Sequence, residues 1–153
     1  MRTAILGIAT AALIAAAPAA AAARTSPAVD QIVADAQKVR EEAQEVKLLL
    51  KHRSADAAAL QQRLGLIETH AKALRAAIAE VRTSQTSLTS KQLEALERAH
   101  GAAETLLVML TNKAAIVADA ARFEKERGLL RAKADGIARR AQLVEQQMER
   151  LRG

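Results

Sequence analysis

The side chains best suited to chemistry in this 153-residue chain are its three histidines, His52, His70 and His100, and the carboxylates near them. Imidazole titrates close to neutral pH and is the commonest metal ligand. One helix presents two ligands to one metal when they stand three or four residues apart, and no two of these histidines do. Two helices folded side by side would bring His70 towards His100, with Glu68 and Glu104 alongside, a grouping suited to a metal or to pH sensing. The plainer reading is a pair of polar residues flanking an apolar seam and sharing water or a carboxylate, and the missing ligand spacing favours it. No nucleophile has a base beside it, no glycine-rich loop offers amides to a phosphate, and no carboxylate cluster departs from ordinary helix-surface charge. The absence of cysteine excludes disulfides and thiolate metal sites. The expectation is a non-enzyme with no catalytic, cofactor-binding or metal-binding residues.

Charge is the next candidate. Basic residues number 23 against 17 acidic ones, a formal net charge of +6. Positions 122–152 hold nine basic and five acidic residues, so four units of the excess lie there. Arg131, Lys133, Arg139, Arg140, Arg150 and Arg152 form a candidate patch for an anionic partner: lipid headgroups, cell-wall polymers or an acidic protein. Positive charge near a helix C-terminus is also favoured by the helix dipole alone. Phe123 is the only aromatic residue, which leaves no platform for stacking sugars or bases. Nucleic acid is not expected as a partner.

The elements that must position these residues begin after a leader. Residues 1–23 carry one charge, Arg2, then an apolar run, Pro18 and a string of alanines. That order is a secretory signal peptide ending at Ala23, with an uncleaved membrane anchor as the alternative. Without cysteine a lipoprotein anchor is excluded. The expected product is an exported protein, periplasmic or secreted, with residues 24–153 as a single all-helical domain.

Ser26 and Pro27 suit a helix start. From there apolar residues fall on a seven-residue grid. Ile32, Val39, Val46, Leu60, Ile67, Leu74, Val81 and Leu88 make one line, and Val29, Ala36, Ala43, Leu50, Ala57, Leu64, Ala71 and Ile78 the other. A heptad held this long predicts a continuous, coiled-coil-like arm over 27–83. The alternative is a break at Ser54, capping a new helix with Asp56 in its first turn.

Residues 84–89 form the turn. Thr89 and Gln92 are spaced as a capping box, with Leu88 and Leu93 as its hydrophobic staple, and hydroxyl-rich residues precede them. In the second arm, 90–152, Leu93, His100, Leu107, Ala114 and Ala121 make one line and Leu96, Ala103, Leu110 and Val117 the other. A second grid, Phe123, Leu130, Ile137, Val144 and Leu151 with Ala134, Ala141 and Met148, joins out of phase near Gly128.

The architecture expected is all-α, a long antiparallel helical hairpin. Its middle is apolar on more than one side, where Leu48, Leu49, Leu66, Leu106, Met109, Ile116 and Phe123 form a candidate apolar interaction surface. Two further helices are needed to cover it. A homodimer of hairpins would supply a four-helix middle, and so would one chain broken near Ser54 and near Asn112 or Gly128.

Leu88-Thr89-Ser90-Lys91-Gln92 resembles the LTxxQ motif of the Spy and CpxP family of small, exported, all-helical periplasmic stress proteins. The resemblance covers five residues, and Leu110-Thr111-Asn112-Lys113-Ala114 lacks the glutamine of a second copy. It implies a curved helical dimer that shields unfolded clients without ATP. The sequence thus predicts an exported, non-enzymatic helical interaction or structural protein of the cell envelope. Its alternatives are an ATP-independent chaperone of that family's type and a helical protein that binds anionic membrane surfaces.

Overall fold

The computed structural model describes residues 27–52, 56–84 and 88–152. The leader 1–23, the Ser26 cap, Arg53 and Ser54 lie outside the described residues, as do the central residues of the turn, 85–87. The protein is nearly all helical, with four helices packed against each other.

Helix α1 spans Pro27–Leu49. It does not continue into the next helix, as the unbroken heptad had suggested. Its last turn tightens, with the amides of Lys51 and His52 donating to the carbonyls of Leu48 and Leu49 at 3.0 and 3.2 Å. Helix α2, Ala57–Ser84, restarts on Asp56, whose Oδ1 accepts from the Ala58 amide at 2.9 Å. Asp56 is therefore the capping residue, not a member of the first turn. The heptad crosses the break in phase because α1 and α2 both place their stripe on one shared core.

Helix α2 ends where hydroxyls compete for its backbone. Thr83 Oγ1 donates to the carbonyls of Ala79 and Glu80 at 3.2 and 3.0 Å. Helix α3, Ser90–Leu110, then starts from the Thr89 and Gln92 capping box. The staple is incomplete: Leu88 packs on the core, but Leu93 is 46% exposed.

The second arm breaks at Asn112 and Asp119, not at Gly128. Asn112 takes a left-handed conformation, φ 64°, one that asparagine tolerates better than most residues. A short helix α4, Lys113–Ala118, follows it. Asp119 then caps α5, Ala120–Arg152, its Oδ1 accepting from the Arg122 amide at 3.1 Å. Gly128 lies inside α5, about 50 Å long at 1.5 Å per residue.

Helix α1 packs on α2 and α5, and α3 packs on the same two from the other side, with α4 against α2 and α5. Ion pairs show that neighbours run antiparallel. Asp30, Arg40 and Lys47 of α1 meet Arg152, Glu145 and Asp135 of α5, and Arg63 Nη1 donates to both Glu42 oxygens across α1 and α2 at 2.9 and 2.7 Å. The two helices needed to cover the apolar middle thus come from the same chain.

Both heptad lines of α1 and α2 are buried from Val29 to Val81, except Ala57, which is exposed. The α5 grid is buried throughout. In α3 the line Leu96, Ala103 and Leu110 is core, but Leu93, His100 and Leu107 are not buried. Ala95, Ala99, Ala102 and Leu106 take their place. The physical reason is that α3 lies between two neighbours, so its buried stripe is centred between them. Core alanines such as Ala36, Ala71, Ala99 and Ala141, each 0% exposed, let the backbones approach closely, and each fully buried leucine or isoleucine between them contributes about 1.5–3 kcal/mol.

Candidate functional site

The histidines separate instead of converging. His52 is exposed at the end of α1. His70 faces α1, its Nδ1 3.5 Å from Oδ1 of the buried Asp35, which also accepts from Gln31 Nε2 at 3.0 Å. His100 stays with its own helix, Nε2 3.8 Å from Glu104 Oε1, while Glu104 also meets Arg75 of α2 at 3.6 Å. Glu68 pairs with Lys72 on its own helix at 2.6 Å. His70 and His100 each have their own carboxylate, and no group of three metal-binding side chains occurs among the described residues.

The apolar set divides too. Leu106, Ile116 and Phe123 are core, 0%, 3% and 6% exposed, because α4 and α5 pack with α2 and α3 over the faces that a two-helix hairpin would have left open. Arg127 lies over the Phe123 ring, 5.0 Å from its centroid. Leu49 and Met109 are half-buried against the core, and Leu48 and Leu66 are exposed. Met109 reaches across to α5, where Gly136 leaves room: a Cβ there would stand 2.5 Å from Met109 Cε. The stretch Ser90–Ala118 is apolar enough by length and composition to cross a membrane. It is broken at Asn112, and Leu96, Leu106, Leu110 and Val117 spend much of its apolarity on the core.

The basic residues of α5 point in several directions. Arg152 is held by Glu149 and by Asp30 of α1. Arg131 is exposed, and Lys133 is half-buried and, like Lys113, lines an apolar cavity. Arg139, Arg140 and Arg150 instead line the side of α5 that meets α3. Arg139 and Arg140 border an open groove with Met109, Gln142 and Gln146. Arg150 borders a second groove with Gln147 and with Lys91 and Arg98 of α3. The grooves follow one another along α5, with Gln146 on the first and Gln147 on the second.

Some of this charge is engaged locally. Arg139 Nη2 is 3.0 Å from Asp135, and Arg98 pairs with Glu94 one turn away. Arg150 donates to Gln147, a neutral partner, at 3.2 Å. Lys91 and Arg140 make no ion pair or hydrogen bond among the described residues. Glu94 is the one acidic residue lining either groove. Reasoning from sequence missed Lys91 and Arg98, because a two-arm hairpin does not set α3 beside the last helix.

Acidic residues of α5 also meet cations of α1. Asp135 lies between Lys47 and Arg139, and its hydrogen bond from Lys47 holds its carboxyl below the usual range. Glu145 is pushed the other way, mainly by burial, although Arg40 opposes the shift. Arg40 Nε is 3.1 Å from Glu145 Oε1, yet that oxygen has no aligned hydrogen-bond donor.

No family model, curated protein or solved structure matches the chain. The likeness to the Spy and CpxP family stays within residues 88–92, where Thr89 and Gln92 are the halves of a helix cap.

Proposed function

We propose that this chain is an exported, non-enzymatic helical interaction protein that meets an anionic partner of the cell envelope on the face shared by α3 and α5. The observation that carries the reading is the gathering of Lys91, Arg98, Arg139, Arg140 and Arg150 along two successive grooves with a single lining carboxylate. The leader-like order of residues 1–23 supports export. The glutamines between the cations, Gln142, Gln146 and Gln147, add neutral hydrogen-bonding groups suited to phosphate or carboxylate oxygens.

Binding to anionic vesicles, to neutral vesicles and to soluble polyglutamate at low salt tests it. The protein should bind one or both anionic probes, with affinity falling as salt screens the contact, and should leave neutral vesicles in solution. Reversing Arg139, Arg140 and Arg150 to glutamate should weaken binding on the order of a hundredfold, from about 1 kcal/mol per basic residue. Unchanged binding by this triple variant would remove the reading. A client-shielding role of the kind the LTxxQ resemblance implies would draw on Leu106, Ile116 and Phe123. These are core, so the helices would have to part, and suppression of aggregation of an unrelated denatured protein is the result that would favour it.

A further inference from the structure

Beyond the basic face, we infer that the end of the helical array closed by α4 is a binding site for a single-chain aliphatic anion, such as a fatty acid carboxylate. The walls come from four helices: Val46 of α1, Leu60, Leu64 and Ile67 of α2, Val117 of α4 and Ile137 of α5. All are aliphatic, with no ring that would select a flat guest. The only charged side chains on the lining are Lys113 and Lys133, and no acidic residue joins them. Neither lysine makes an ion pair or hydrogen bond among the described residues, and both are half-buried. Lys113 and Lys133 lie on the lining of an otherwise aliphatic cavity that has no carboxylate among its residues, an arrangement that complements an anionic head on an apolar tail.

The enclosed space is about 10 Å³, room for about one water molecule. A longer chain enters only as α4 moves outward, and the chain is built for that. Helix α4 has six residues, too few to be stable without its packing. It is bounded by Asn112 in a left-handed conformation and by the extended Asp119, two non-helical positions where rotation is absorbed without unwinding α3 or α5. Val117 would slide aside with α4, and Lys113 would travel with the headgroup.

Titrating the full chain with monomeric dodecanoate, followed by calorimetry and by NMR, tests the inference. Dodecanoate should bind saturably, acetate should not, and dodecyltrimethylammonium should bind about tenfold or more weaker, because the lysines repel its head. Nuclear Overhauser contacts should connect the alkyl chain to the methyl groups of Leu64 and Val117. Lys113→Gln with Lys133→Gln should weaken dodecanoate about tenfold or more while the helical signal is kept. The Arg139→Glu, Arg140→Glu, Arg150→Glu variant should bind it as before, which separates this site from the α3–α5 face. Equal affinity for the cationic amphiphile, or unchanged affinity in the double lysine variant, would overturn the inference, as would alkyl contacts to the exposed Leu48 and Leu66 in place of Leu64 and Val117.

Discussion

The amide of Gln92 donates to Thr89 Oγ1 at 3.3 Å, and the amide of Thr89 donates back to Gln92 Oε1 at 3.0 Å. Two amides that the helix itself cannot satisfy are thereby paired. Gln92 Nε2 also donates to the Leu151 carbonyl at 3.4 Å, tying the first turn of α3 to the last turn of α5. Thr89→Ala should lower stability by about 0.5–2 kcal/mol, read from the midpoint of a urea transition. Thr89→Ser, which keeps the accepting oxygen, should recover most of that loss. Equal stability of the alanine and threonine proteins would mean that the cap contributes nothing.

Leu106 and Leu66 separate core from surface. Leu106 is 0% exposed between α2 and α5, whereas Leu66 is 38% exposed on α2. Leu106→Ala should cost about 2–5 kcal/mol, transfer and cavity terms together. Leu66→Ala should stay within about 0.5 kcal/mol. Similar small losses at both positions would place Leu106 on a surface, as the hairpin expectation had it, and would undo the packing described for α3.

Gly128 provides a sharper test of the second arm. A Cβ added there meets nothing within 4 Å, and the residue lies inside α5. Gly128→Ala should therefore stabilise the protein by about 0.5–1 kcal/mol, the ordinary helix preference of alanine over glycine. Loss of stability, or of helical circular dichroism, would mark Gly128 as a break.

The seven-residue grid made most of the core legible, because each buried stripe faces a partner whichever helix supplies it. Ile32, Ile67, Leu74 and Ile137 read as core on period alone and are core. The same property hid the connectivity. A stripe that stays in phase across a bend looks continuous, so the reversal between α1 and α2 shows in the sequence only as an alternative break at Ser54 with Asp56 in the first turn, whereas Asp56 itself accepts from the Ala58 amide. In the second arm the sequence offers Asn112 or Gly128 as the break; Asn112 makes it, together with Asp119, and Gly128 does not. A glycine merely permits a break, whereas left-handed and capping conformations make one. The candidate site was legible in part for the same reason. Arg139, Arg140 and Arg150 stood out by charge density, but Lys91 and Arg98 join them only once α3 and α5 are neighbours.

Two carboxylates on α5 should impose opposite pH dependences on stability. Burial lifts Glu145 above the usual carboxylate range, so the folded state holds that proton more tightly than the unfolded chain does. Its contribution is full below the ordinary glutamate range and is lost as pH rises through the raised value. Asp135 is lowered, chiefly by its hydrogen bond from Lys47, so its contribution is present above the ordinary aspartate range and is lost as pH falls through the lowered value. At neutral pH Glu145→Gln should stabilise the protein, and the gain should vanish once the wild-type carboxyl is protonated. Asp135→Asn should destabilise at neutral pH, with the deficit closing on acidification. Urea midpoints of the three proteins across the carboxylate range give both curves. A Glu145→Gln difference that does not change with pH would show that burial against α1 does not govern this carboxyl, and the α1–α5 contact around Arg40 would have to be looser than described.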